Sequence, residues 1–130
     1  MTTVAIHQPQ YLPWVPYCDK ADACDIFVFL DNVQFQRGGV QNRNSIKTPS
    51  GELLLTVPVK ASRESLIRDV EIAGTDWQKK HTEGILRNYA RAPYFHLFMQ
   101  ELKPILEKPW SRLADLNVEV TRWMFGVLGI

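Results

Sequence analysis

Residues 4–35 constrain this chain more than any other stretch: VAIHQPQYLPWVPYCDKADACDIFVFLDNVQF. Two short apolar runs flank a loop and a helix, and each run ends in a burst of polar residues. Residues 2–6 read as a buried strand, which Pro9 stops from continuing as a central strand. A helix is expected over residues 11–23, with Pro13 and Pro16 confining its regular part to the end. Residues 26–30 (IFVFL) are apolar without alternation, which predicts a strand buried on both faces, as in parallel sheets. Strand, helix and strand in this order are a βαβ unit. Its two polar ends, His7-Gln8-Pro9-Gln10 and Asp31-Asn32, then lie side by side in the crevice where such sheets bind ligands.

Residues 33–44 read as a β-hairpin insertion. Gly38-Gly39 suits a two-residue primed turn, pairing Arg37 with Val40, Gln36 with Gln41 and Gln34 with Arg43. A second turn is expected at Thr48-Pro49-Ser50-Gly51, with a returning strand over 53–59. Residues 60–65 (KASRES) read as a polar loop and 66–72 as extended. The period then becomes helical. Thr75 and Gln78 fit a capping box at the head of a helix that puts Trp77, His81, Ile85 and Tyr89 on one face and stops before Pro93. A second helix is expected over 94–107, kinked or restarted at Pro104. A third follows Ser111 as N-cap, with Leu113, Leu116, Val120, Trp123 and Val127 as its apolar stripe. The fold class expected is α/β: a Rossmann-like or nucleotidyltransferase-like βαβ start, a β-hairpin insertion, then three helices.

The 130 residues are expected to be one domain or part of one, 45% of them hydrophobic, enough for a real core. Lys and Arg number 15 against 14 Asp and Glu. That balance offers no bulk attraction for nucleic acid or anionic membrane, and no DNA partner is expected. Cys18 and Cys24 fall on different helix faces and read as small reduced core residues. No apolar run is long enough to span a bilayer, and no secretory leader is expected. A soluble, cytoplasmic protein is the expectation.

His7, at the carboxyl end of a strand, suits proton transfer or phosphate recognition, or a structural place bonded to backbone in a tight turn, with Gln8, Gln10 and Tyr11 beside it. The first-strand topology is like that of nucleotidyltransferases, but Tyr11 and Trp14 stand where their paired histidines would be. Neither supplies the cationic donor that adenylyl transfer needs. Asp31 suits a hydroxyl, a metal or an amine, or simply a turn. No second acidic residue is near enough in sequence to build a metal site around it. Gln34, Arg37, Gln41, Asn42, Arg43, Asn44 and Lys47 form the densest polar cluster. Arg recognises carboxylate or phosphate and the amides read hydroxyls; an exposed hairpin without a function has the same composition. His81, on an apolar helix face, is either a satisfied core histidine or a site-facing imidazole.

These residues together resemble the WbqC-like family. The opening IHQPQYLPW with Tyr17 and Lys20, the FLDNVQF and QNRNSIK blocks, the VPV strand at Val57, the IRDVEI stretch and the Trp77, Lys80, His81 helix all match its pattern. The resemblance implies a chain about as long again, so residues 1–130 are expected to be the N-terminal part of a longer domain. It also implies a bacterial transferase of surface-polysaccharide (O-antigen) or related small-molecule biosynthesis, with acyl or aminoacyl transfer to an amino sugar as the reaction. A nucleotide-linked or carrier-linked sugar, or an acyl donor, would be the substrate; no cofactor is named. His7 and Asp31 would then carry the chemistry. Two other readings stay open: a non-catalytic nucleotide- or RNA-binding module, and an inactive truncated member.

Overall fold

The computed structural model describes residues 1–130. β1 (Val4–His7) leads through a Pro-rich loop to α1 (Val15–Asp22) and on to β2 (Ile26–Phe29). The two strands pair in parallel, Val4 beside Ile26 through to His7 beside Phe29. This is the expected βαβ start. Pro16 sits in the first turn of α1, where its missing N–H costs nothing. Leu12, in the loop, has φ of 45°, a left-handed conformation rarely held by a residue with a Cβ.

The hairpin is one turn later in the chain than the Gly-Gly pattern predicts. β3 (Arg43–Thr48) and β4 (Gly51–Thr56) pair antiparallel around Pro49 and Ser50. Residues 33–42 form no ladder of their own; Gln34 makes a single bridge to Leu66. Gly38, with φ of 73°, takes the third position of a turn closed by Gly39 N–H to Gln36 C=O, the place a type II turn reserves for glycine. The physical reason is that the amide side chains of this segment bond elsewhere.

The strand expected over 53–59 breaks at Pro58, which has no N–H to give. β5 (Val59–Lys60) then pairs with β6 (Glu71–Ile72). A 3₁₀ turn, Ile67–Asp69, interrupts the stretch expected to be extended. The three C-terminal helices are α2 (Asp76–Tyr89), α3 (Phe95–Leu106, with Pro104 inside) and α4 (Leu113–Leu128). Neither side-chain cap forms. Gln78 reaches the carbonyls of Leu106 and Lys108 rather than back to Thr75, and α4 starts after Arg112, not Ser111.

The core lies between the hairpin and the helices. Leu55, Val57, Ile67, Leu106, Leu116 and Val120 are its centre, with Tyr11 and Phe35 reaching in from the loops. Gly84 lets α2 rest on the hairpin: a Cβ there would meet Leu53 at 3.4 Å and Leu55 at 3.6 Å. The βαβ unit is different. On one face of its ladder Phe27 packs on Tyr17 and Phe125, with Phe29 against Phe27. The other, Val4 and Ile6 beside Ile26 and Val28, is 39–54% exposed, so β2 is not buried on both faces as its composition predicts. No helix is long and apolar enough to cross a membrane.

Candidate functional site

At the carboxyl end of β1, successive side chains leave the strand in opposite directions. His7 turns toward α1. Its ring lies 4.6 Å from that of Tyr17. Lys20 Nζ donates to the Ile6 carbonyl at 3.0 Å and lies 3.4 Å from His7 Nδ1, while the Gln10 amide lies 3.3 Å from Nε2. Burial, and then the Lys20 ammonium, hold the His7 pKa below its ordinary 6.5, so the ring is neutral at pH 7. A neutral imidazole has one lone pair. With the ammonium at Nδ1 the proton sits on Nε2, and the Gln10 amide, whose nitrogen faces Nε2, accepts it by turning its oxygen there.

Gln8 turns the other way. Its Oε1 accepts from Gln41 Nε2 at 2.7 Å, which points its own NH₂ group elsewhere. It lines an open polar cavity of about 590 Å³ with Gln34, Phe35, Gln36, Arg37 and Arg63. Arg37 donates to the Ala61 carbonyl and Gln34 to the Arg63 carbonyl. Those bonds stitch residues 34–37 to the loop after β5.

The Gln41–Asn44 block holds the fold around this end of β1. Gln41 is 3% exposed; besides Gln8 it accepts from Gln36 N–H at 2.8 Å, and its carbonyl takes Asn117 Nδ2 at 2.7 Å. Asn42 donates to the Val57 carbonyl at 3.0 Å. Asn44 donates to the carbonyl of Leu12 at 2.7 Å, holding the left-handed residue in place. Arg43 bonds the Gly38 carbonyl. Lys47 lies out on the hairpin, its N–H on the Tyr89 hydroxyl.

Tyr11 and His81 are both in the core, 0% and 2% exposed. His81 Nε2–H donates to the Thr56 carbonyl at 3.1 Å, so Nδ1 carries the lone pair that accepts from the Tyr11 hydroxyl at 2.7 Å. Burial first, with Lys80 adding to it, drives the His81 pKa down to about 4, against the Thr56 bond that raises it. Both nitrogens are used within the fold, which is the core-histidine alternative.

Asp31 accepts the Arg68 N–H through its carbonyl and faces α4, in a separate cavity with Asp115, Glu119 and Arg122. No group of three His, Cys, Asp or Glu side chains is placed to hold a metal ion. The candidate residues therefore divide. His7 and Gln10 share one side of the strand end with Lys20. Gln8, Gln34 and Arg37 share the other with Arg63. Asp31 stands apart. Arg63 carries no signal as a site residue in the sequence, because a single cation in a polar loop is the commonest of surface features; Lys20 is marked there only by the family pattern.

The WbqC-like family model matches residues 8–130. The chain belongs to the WbqC-like protein family. A curated relative, "Uncharacterized protein Rv1507c" of Mycobacterium tuberculosis, is 38% identical over 133 residues; the alignment covers 100% of this chain and 58% of the relative. This WbqC-like chain thus spans little more than half the length of that relative. No solved structure matches it.

Proposed function

We propose that the chain is the N-terminal, substrate-holding part of a group-transfer enzyme in bacterial surface-polysaccharide or related small-molecule biosynthesis. The reaction class favoured is acyl or aminoacyl transfer to an amino sugar. The observation that carries this reading is the His7–Lys20 pair: a neutral imidazole at the carboxyl end of β1 with an ammonium against its Nδ1. A ligand oxyanion draws Lys20 away by charge and frees the Nδ1 lone pair. The imidazole then accepts the proton of the attacking amine as nitrogen bonds to the acyl carbon; the bond from that carbon to the donor's carrier breaks, and the carrier leaves as the thiol or alcohol, taking the proton back from the imidazolium. Gln10, with its amide oxygen turned to Nε2–H, keeps the ring oriented meanwhile.

The test is turnover. Nucleotide sugars carrying amino groups are incubated with acyl-CoA and aminoacyl donors, and products are read by mass spectrometry. His7→Gln and Lys20→Met are each expected to remove the new product while the melting temperature holds. Product formed at the wild-type rate by His7→Gln overturns the role given to His7.

A further inference from the structure

The cavity on the opposite side of the β1 end is lined by donors. Its only charged side chains are Arg37 and Arg63. Neither takes part in an ion pair; the four pairs in the chain use Lys79, Lys103, Lys108 and Arg112. No carboxylate lines the cavity, whereas the neighbouring one at Asp31 holds three carboxylates against one arginine. Gln8 adds a third donor with its direction set, since Gln41 occupies its oxygen. The two arginines stand on different segments, and those segments are tied together. Phe35 N–H bonds the Ser65 carbonyl at 2.8 Å, and the Arg37 and Gln34 side chains bond the carbonyls of Ala61 and Arg63. The Arg37 guanidinium is thereby held, and the backbone that carries Arg63 is fixed beside it, before any ligand arrives, which lowers the ordering cost of binding.

We infer that this cavity is a binding site for a phosphorylated small molecule, with Arg37 and Arg63 gripping the phosphate oxygens from two sides and the Gln8 amide N–H completing the set. A phosphate group offers three terminal oxygens in a tetrahedral array, which suits donors that converge from separate walls; a carboxylate offers two in one plane. The volume of about 590 Å³ exceeds that of an orthophosphate and lies in the range of small-molecule sites. A long polyanion is disfavoured by the chain's net charge of +1. This site stands whether or not His7 moves a proton.

The test is isothermal calorimetry of the full chain against inorganic phosphate, pyrophosphate and a single-stranded RNA oligonucleotide. Saturable pyrophosphate binding is expected, weakened at least about tenfold by Arg63→Gln and by Arg37→Gln, and unchanged by Arg91→Gln beyond α2. Arg63→Gln keeps the backbone carbonyl that Gln34 uses, so far-UV circular dichroism should match wild type. Arg37→Lys, which keeps charge without the fork, should fall between. Three results overturn the assignment: no saturable binding of either phosphate probe, equal pyrophosphate affinity in wild type and both Gln variants, or RNA bound more tightly than pyrophosphate.

Discussion

The Tyr11 hydroxyl donates to Nδ1 of His81 at 2.7 Å across a sequence separation of 70 residues, with both side chains buried. That bond pins the loop after β1 to the middle of α2. Its partner must stay neutral. With a folded pKa of about 4 against an ordinary 6.5, His81 binds a proton in the unfolded chain before it does in the folded one. Stability from this group is complete above about pH 6.5 and declines as pH falls toward 4, at up to about 1.4 kcal/mol per pH unit. Urea melts at stepped pH measure the slope. Tyr11→Phe leaves Nδ1 without a donor and is expected to cost about 1–3 kcal/mol at pH 7; a smaller loss would mean that water replaces the hydroxyl.

The His7 titration is separable from that of His81 by NMR. Its midpoint should lie below 6.5, chiefly through burial and secondly through Lys20. Lys20→Met removes only the second cause. The midpoint should rise on that substitution; a midpoint that stays put or falls contradicts the contact between the two side chains.

Asn44→Ala removes the amide that holds the Leu12 carbonyl. Leu12 occupies a conformation that costs a non-glycine residue on the order of 1 kcal/mol or more, and without its clasp the loop relaxes. A loss of about 1–2 kcal/mol in chemical denaturation is expected.

Gln41→Glu keeps the shape of the side chain and its acceptor for Gln36 N–H, but has no N–H for Gln8. Gln8 must then rotate to donate to the new carboxylate, and its oxygen turns to the arginine cavity. Pyrophosphate affinity should drop, by several-fold or more, with little change in circular dichroism. Unaltered affinity would separate Gln8 from the binding site.

Gly84→Val tests the seat of α2 on the hairpin. The added Cβ already meets Leu53 at 3.4 Å, and two further methyls have no room. Overpacking of this kind costs about 1–3 kcal/mol, enough to lower the melting temperature by several degrees.

The parts of this fold legible in the sequence are those set by near neighbours. The βαβ start follows from two apolar runs and a Pro-rich entry to a helix, and Pro49-Ser50 marks the true hairpin turn. Residues 33–44 were opaque for a specific reason. Their side-chain amides bond to Gln8, Val57 and Leu12, and the Gln41 carbonyl accepts from Asn117, 76 positions away; no local period reports such partners. The same distance effect emptied the capping box: Gln78 has a better use at the end of α3. In the candidate site, His7 and Gln8 were visible from their position at a strand end. That they face opposite ways was implicit in the two-residue period of a strand. Arg63 became visible only when the Gln34 amide was found on its carbonyl.

The exposed face of Val4, Ile6, Ile26 and Val28 bears on how the site keeps its shape in time. The chain presents 8315 Å² to solvent, against about 7,000 Å² for a compact monomer of its 15.0 kDa mass. The excess includes the ladder from which His7 and Gln8 project. Backbone amides of β1 and β2 are therefore expected to exchange their hydrogens sooner than those around Leu116 and Val120, through local openings that leave the helical core shut. The proposed site is mounted on a half-exposed ladder, and the lifetime of its arrangement is expected to follow how seldom that ladder opens.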